Sequence, residues 1–151
     1  MDKIDKAILY QLQRNSKLNT KEIANRVGLS ITPTYERIKK FEKQGVIKSY
    51  VALLDQSKVG KQVIAFCQIS LAIHSIKKLN NFRNNISNLS EVTECYQVTG
   101  DYDFNIKIAV NTISDLHDFI NIKLAAIEGI SKIRSSVSID IIKETTAFDL
   151  N

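Results

Sequence analysis

The sequence predicts an α+β protein with an N-terminal winged helix-turn-helix, residues 1–50, and a C-terminal ferredoxin-like βαββαβ plait, residues 61–151. A linker strand at residues 51–60 is expected to join them. Three observations lead to this prediction. They are two helical patterns separated by a glycine turn, a later hydrophobic pattern that alternates between strand and helix periods, and a concentration of positive charge in the first third of the chain.

The first two helices are predicted from their caps and their apolar spacing. Residues 2–15 carry isoleucine and leucine at fourfold spacing and place an aspartate at the positive end of the helix. Asn19 is followed three residues later by Glu22, which is the spacing of a capping box, and Gly28 can end the second helix. We expect each helix to pack through one apolar stripe.

The third helix carries the prediction of a nucleic-acid interface. Ser30 can cap it, and Pro33 falls in its first turn, where no intrahelical partner is lost. Ile31, Ile38 and Phe41 share one side, which we expect to face a core. The opposite side is polar, with short groups first and long cations further along, which suits base edges and then phosphates. The candidate DNA contacts are Ser30, Thr32, Pro33, Thr34, Glu36, Arg37, Lys39, Lys40 and Lys43.

The uneven distribution of net charge supports this interface. Residues 1–50 contain 11 Lys and Arg against 5 Asp and Glu, a net charge of +6, whereas residues 51–151 contain 10 against 11, a net charge of −1. A charge that served solubility alone would be spread over both parts. Its concentration beside the helix-turn-helix favours double-stranded DNA as a partner over the simpler interpretation, a solvated charged helix face.

The remainder of the chain is predicted as a linker and a plait. Residues 46–54 are rich in strand-forming residues, which is typical of a wing or linker strand, and residues 55–60 are polar enough for a domain boundary. Apolar residues occur on both faces of the later strands, so the face without helices is expected to pack on another copy as a homodimer. The predicted strands are residues 63–71, 92–99, 104–110 and 130–142, and the predicted helices are residues 75–89 and 114–128.

Other kinds of site and location find little support in the sequence. Cys67 and Cys95 form no C-x-x-C pair, and we expect both to be buried reduced thiols, with no disulfide, metal or other cofactor. His74 and His117 stand apart from any paired base or nucleophile, which argues against an enzyme. No apolar run approaches the roughly 20 residues that span a bilayer, and no signal-peptide core is evident, so a cytoplasmic protein without membrane contact is expected.

Several short motifs occur together in this chain. They are Asp5, Ile8 and Leu9, residues 22–24 and 27–30 through the turn, residues 37–38 and 42–47, and residues 98–103 in the plait. Together, these motifs resemble the leucine-responsive and asparagine-responsive (Lrp/AsnC) regulators of bacteria and archaea over the whole chain. The combination is far more specific than any one of its parts. Phe41 stands where that family usually has leucine, a volume change that a core can absorb.

The resemblance implies that the plait senses a small effector, often an amino acid, between plaits of neighbouring dimers, which assemble further into oligomers such as octamers. A glycine loop allows backbone amides to approach a carboxylate, and Asp101 or Asp103 can pair with an ammonium group. Ser136 and Ser138 are small and polar, which disfavours leucine as the ligand. The implied effector site comprises Gly100, Asp101, Tyr102, Asp103, Ser135, Ser136, Val137 and Ser138.

Other interpretations stay open at this point. Without the resemblance, residues 100–103 are simply a hairpin connection, since Gly and Asp are typical of such turns. An effector-independent architectural DNA-binding protein would use the same basic helix, and its weak preference for specific over competitor DNA would reveal it. A more remote alternative is an enzyme similar to the siroheme decarboxylases, which share this architecture and would respond to titration with a porphyrin.

Overall fold

A computed structural model describes residues 1–150, which form two compact units. The helical unit consists of Met1–Leu53 together with a C-terminal segment that begins at Ile142. The plait consists of Leu54–Ile141. The sequence prediction of a C-terminal domain at residues 61–151 differs from this division, in which the residues from Ile142 group with the helical unit.

The helical unit contains three helices, and the capping box that the sequence predicts for the second of them is confirmed. Asp2 and Asp5 form a capping box at the start of the first helix, and Asn19 and Glu22 form another at the second. Gly28 ends the second helix at a φ of 71°, a left-handed conformation that glycine adopts without strain. The helices are α1, Lys3–Arg14; α2, Thr20–Val27; and α3, Ile31–Lys43.

The core-facing stripe of α3 differs from the prediction at its first turn. Ile38 and Phe41 are buried as expected, but Ile31, the first residue of the helix, is 51% exposed. Thr34 is fully buried instead, one turn before Ile38. Its Oγ1 donates to the carbonyl oxygen of Ser30 at 2.9 Å, so the hydroxyl is paired inside the core. Ser30 occupies the N-cap position, but its side chain makes no capping hydrogen bond.

The predicted linker strand does not form within this chain. Residues 48–55 have no regular secondary structure. A strand needs a neighbouring strand to bind its backbone amides and carbonyls, and no described residue supplies one here. Val51, Leu53 and Leu54 are consequently 66–70% exposed, although their composition is typical of strands.

The plait has the predicted βαββαβ order and a four-stranded antiparallel sheet with strand order β2-β3-β1-β4, which confirms the fold class. The last strand ends well before residue 142, and Ile139 beyond it is fully exposed. Ile76, the first residue of the first plait helix, is 78% exposed. The elements are β1, Val63–Leu71; α4, Ile76–Ser87; β2, Val92–Gln97; β3, Phe104–Val110; α5, Ile113–Asp118, continued by a π-helical segment, Phe119–Leu124; and β4, Ile130–Val137.

The strand register assigns the two faces of the sheet. Residues such as Ala65, Cys67 and Ile69 alternate toward the helices and form the core with α4 and α5. The exposed apolar residues of the open face are Phe66 and Tyr96 within the described chain. Polar residues are interleaved with them, so the open face is less apolar than the sequence predicts.

The two cysteines lie in different environments. Cys67 is fully buried, and burial raises the pKa of its thiol to about 11. Cys95 lies on the edge strand β2 and is exposed, which corrects the prediction that both are buried. Within residues 1–150, no group of three or more His, Cys, Asp or Glu is placed to hold a metal, and no helix is long and apolar enough to cross a membrane.

Candidate DNA-binding surface and effector cavity

The solvent-facing side of α3 is a cationic surface. Lys40 and Lys43 are exposed along it. Lys39 is also exposed, but its Nζ lies 2.7 Å from the Glu42 carboxylate and 5.7 Å from the centre of the Tyr35 ring. Tyr35 is 50% exposed on the same side and was missed as a candidate contact. A helix that presents long cations beside short polar groups can reach phosphates and base edges together.

Two of the predicted DNA contacts, Thr34 and Arg37, do not point outward from α3 with the lysines. Thr34 is fully buried and cannot reach a partner. The side chain of Arg37 is only 32% exposed, and its Nη1 lies 2.7 Å from Asp2 Oδ2 and also contacts Asp5. The amide of Asp5, and then the guanidinium of Arg37, lower the pKa of Asp2. Arg37 therefore ties α3 to the capping box of α1 and does not point outward with the lysines.

The segment after α3 is held against the end of the helix. The Tyr50 hydroxyl donates to Glu42 Oε1 at 3.0 Å. Partial burial, together with this carboxylate, raises the pKa of Tyr50 to about 12. Glu42 thus pairs with Lys39 and Tyr50 together, and it neutralises part of the charge at this end of the surface.

A cavity of about 730 Å³ opens on the sheet face that carries no helices. Its floor is a row of three residues in register across neighbouring strands, Asn105 on β3, Gln68 on β1 and Arg134 on β4. The loop between β2 and β3 forms its wall. The lining residues are Gln68, Gln97, Val98, Thr99, Asp101, Tyr102, Asn105 and Arg134.

The cavity offers groups of opposite charge and an unpaired polar atom. Arg134 supplies a guanidinium and Asp101 a carboxylate. The Oδ1 atom of Asn105 is buried without a hydrogen-bond partner, a costly state unless a bound molecule donates to it. Lys132 lies 5.1 Å from the centre of the Tyr102 ring, so a second cation borders the wall. This arrangement can bind a small zwitterion.

Only part of the predicted effector site lines this cavity. Asp101 and Tyr102 line it, and Gly100 in the same loop has a φ of 113°, which favours glycine. None of the four predicted residues on β4 and just after it contributes. The strand register turns Ser135 and Val137 toward the helices, whereas Ser136 lies on the open face beyond the cavity. Sequence reasoning missed Gln68, Gln97, Val98, Thr99, Asn105 and Arg134.

Asp103 has a structural role within its own chain. Its Oδ2 accepts from the buried Leu71 amide at 2.7 Å, and its Oδ1 lies 2.7 Å from His74 Nε2. The Asp103 amide donates to the Ile69 carbonyl oxygen at 2.9 Å. Both carboxylate oxygens are therefore engaged in fastening the loop to the end of β1. His74 is not isolated, contrary to the sequence prediction.

We therefore expect Asp103→Ala to destabilise the plait. The substitution leaves the Leu71 amide without its acceptor, which costs about 1 to 3 kcal/mol. Thermal unfolding followed by circular dichroism should show a lower Tm for the plait. His74→Ala is the matched control, since it removes the exposed partner and retains the buried hydrogen bond. An unchanged Tm for Asp103→Ala would contradict this structural role.

Another cavity, of about 300 Å³, lies elsewhere in the plait. Its acidic side chains are already used locally. Glu91 contacts Lys123, which lowers the pKa of that carboxyl, and Asp115 accepts from the Thr112 amide in the capping box of α5. The larger cavity, with its unpaired Asn105 atom, is the better candidate for a ligand.

Comparison with known proteins matches both units to described families. A winged helix-turn-helix DNA-binding domain matches residues 1–48, and the Lrp/AsnC ligand-binding domain matches residues 64–148, more than half of the chain. The chain belongs to the Lrp/AsnC family. It is a helix-turn-helix DNA-binding regulator with a ligand-binding domain, as the resemblance predicted.

Relatives within the Lrp/AsnC family support this family assignment over nearly the full chain. The leucine-responsive regulatory protein of Haemophilus influenzae is 34% identical, covering 96% of this chain and 87% of that protein. A crystal structure of an AsnC family transcriptional regulator from Agrobacterium tumefaciens is 40% identical, covers 99% and 97% of the two chains, and has a TM-score of 0.95. A transcriptional regulator from Neisseria meningitidis, solved in complex with L-Met, is 30% identical, covers 100% and 97%, and has a TM-score of 0.96.

Proposed function

We propose that this Lrp/AsnC regulator senses a free amino acid in the cavity of the plait and changes its binding to DNA in response. The observation that carries the proposal is the combination of Arg134, Asp101 and an unpaired buried amide oxygen around one cavity. The similar regulator from Neisseria meningitidis has been solved with L-Met, which supports an amino acid as the class of ligand.

Each charged group of the cavity suits one end of an amino acid. The guanidinium of Arg134 can donate two parallel hydrogen bonds to an α-carboxylate. The carboxylate of Asp101 can accept from an α-ammonium group. Asp103, the other acid that the sequence suggested, is already engaged by Leu71 and His74, so Asp101 is the better partner.

The side chain of the effector is proposed to be polar and to carry a hydrogen-bond donor. Asn105 presents an acceptor oxygen that no described residue satisfies. Gln68 and Gln97 add amide groups to the same lining, whereas Val98 is its main aliphatic member. A leucine side chain would leave these groups unpaired, and buried unpaired polar groups weaken binding. An amino acid with an amide or hydroxyl side chain therefore fits this cavity better than leucine.

DNA recognition is proposed to use the outward side of α3. Thr32, Tyr35 and Glu36 are exposed near its N-terminal end, where recognition helices reach base edges. Lys40 and Lys43 follow one and two turns later and suit phosphates. Ser30, Pro33 and Lys39 stay candidate contacts at the margin of this surface.

A second copy of the chain is proposed as a partner. The exposed apolar residues at positions 51, 53 and 54 lie in a segment with strand composition and no strand partner. Phe66 is 48% exposed on the open face of the sheet, and a second plait seated there would also close the effector cavity. Sedimentation at micromolar concentration should show a dimer or a higher oligomer such as an octamer. A monomer that binds a single half-site as tightly as a palindrome would contradict this assembly.

We also propose that the protein acts in the cytoplasm and catalyses no reaction. Its relatives in the Lrp/AsnC family are transcriptional regulators, and a regulator must reach DNA. The main competing function is effector-independent DNA architecture. It would require the same helix and assembly but would leave the groups around Asn105 without a role.

A thermal-shift screen of the twenty amino acids tests effector sensing. A ligand present at about 100 times its dissociation constant should stabilise the fold by about 2.7 kcal/mol. We expect amide or hydroxyl amino acids to raise the Tm most. The Asn105→Ala variant is the control for side-chain recognition, and it should lose the preference for polar amino acids. No shift with any of the twenty would favour effector-independent DNA architecture.

A further inference from the structure

Residues 148–150 are docked on the helical unit, where residue 148 contacts the first helix. The Gln13 side chain donates from Nε2 to the Phe148 carbonyl oxygen at 3.2 Å. The Phe148 amide donates to Gln13 Oε1 at 2.7 Å. One side-chain amide thus satisfies both backbone groups of a single residue, in the manner of a strand neighbour. This reciprocal pair fixes the position of the C-terminal segment along α1.

An apolar contact reinforces the polar one. Leu150 is partly buried and packs on the core of the helical unit, which includes Ile8 and Leu9 of α1. The Phe148 side chain, in contrast, is 78% exposed. The segment is therefore held by its backbone at residue 148 and by its side chain at residue 150. Gln13 and Leu150 therefore take part in docking, and the phenylalanine ring lies outside these contacts.

The docked segment begins shortly after a strand that lines the effector cavity. The segment follows β4, the strand that carries Arg134 in the effector cavity, with only residues 138–141 between the strand and the first residue of the helical unit. The chain therefore passes between the two units twice, at residues 53–54 and at residues 141–142. Neither passage has regular secondary structure. One irregular connection would permit wide reorientation, and a second connection closes a loop and restricts it.

We propose that the C-terminal segment is a second tether, which holds the helical unit against free reorientation and transmits the state of the effector cavity from β4 to α1. The restraint itself is independent of the proposed effector. The transmission rests on the proposed function, since it requires that a ligand on Arg134 changes β4. Releasing the tether should therefore free the helical unit and uncouple DNA binding from the effector.

Time-resolved fluorescence anisotropy tests the restraint. A dye can be placed on the helical unit with Lys17→Cys in a Cys95→Ser background, because Cys67 is buried and its thiol is protected. Gln13→Ala, and a chain that ends at Lys143, should add a nanosecond decay from independent motion of the helical unit. Gln11→Ala is the matched control. Gln11 lies on α1, as Gln13 does, and its replacement removes the hydrogen bond that Arg26 of α2 donates to it while it leaves the tether intact.

The outcomes of this experiment separate the interpretations. The same decay in the parent protein, Gln13→Ala and the shortened chain would overturn the tether. A fast decay in Gln11→Ala as well would show that loosening of α1, and not release of the segment, is responsible. A fast decay that appears in Gln13→Ala and in the shortened chain, but not in Gln11→Ala, supports the proposal.

Operator titrations with and without the bound amino acid test the transmission. In the parent protein we expect a coupling of about 5 to 150-fold, a typical range for allosteric regulators. The shortened chain should still bind both ligands, with the coupling reduced to about onefold. An undiminished coupling would overturn transmission through the tether. Absence of coupling in the parent protein would instead refute effector sensing, while the anisotropy measurement still decides the restraint.

Discussion

Arg134→Ala is expected to weaken binding of the amino-acid effector by about 10 to 150-fold, because a hydrogen bond to a charged group contributes about 1.5 to 3 kcal/mol. Arg134 is the cation that lines the cavity, and it lies on the edge strand β4, in register with Gln68 on β1 and in one row with Asn105 on β3. Isothermal titration calorimetry with the amino acid identified by the thermal screen measures the loss directly.

Ser136→Ala is the control for this prediction. Ser136 lies two residues further along β4 on the same face, but it does not line the cavity. The affinity of the Ser136→Ala variant for the effector should be unchanged, although the sequence analysis included Ser136 in the effector site. Loss of binding in Ser136→Ala, together with normal binding in Arg134→Ala, would move the site along the strand and contradict the proposed cavity.

Lys40→Ala and Lys43→Ala are expected to weaken DNA binding and to reduce its salt dependence. Each phosphate contact contributes about −0.9 to the slope of log affinity against log salt, so each variant should lower the magnitude of the slope by about one. Fluorescence anisotropy of labelled DNA over a range of salt concentrations measures this slope. The expected loss is similar on all sequences, since phosphates carry no sequence information.

Two further variants make this prediction specific to the outward side of α3. Lys17→Ala removes an exposed cation of the same unit outside α3, and its slope should match that of the parent protein. Arg37→Ala should also leave the slope unchanged, because Asp2 and Asp5 neutralise this guanidinium. A reduction of the slope by Arg37→Ala equal to that of Lys40→Ala would show that Arg37 leaves α1 to contact phosphate.

The parts of the fold that the sequence predicted are those set by local patterns. Caps such as Asn19 with Glu22 depend on residues three apart, and strand or helix periods depend on a few neighbours. Thr34 shows the limit of this reasoning. Its hydroxyl made it a candidate DNA contact, yet a hydrogen bond to the Ser30 carbonyl oxygen four residues earlier allows it to be buried.

The effector cavity was only partly predictable because it depends on strand register. Alternation along a strand shows which residues share a face, but it does not show which residues of distant strands lie side by side. Gln68, Asn105 and Arg134 are widely separated in sequence and meet only through pairing of β1 with β3 and β4. Asp101 was found because glycine and aspartate mark its loop.

The linker and the C-terminal segment depart from prediction for a related reason. Strand-forming residues near Val51 indicate a propensity, but a strand also requires a partner, which a single chain does not provide here. The docking of residue 148 uses its backbone, so its own side chain gives no signal in the sequence. Gln13, on the other side of the contact, is an ordinary helix residue by pattern alone.

Operator affinity measured with and without each of the twenty amino acids decides whether this regulator senses an amino acid. We expect at least one amino acid with an amide or hydroxyl side chain to change the affinity by about 5 to 150-fold. Arg134→Ala should abolish this change while it binds the operator normally without effector. Operator affinity that is unchanged by all twenty amino acids would contradict the claim that this regulator senses an amino acid.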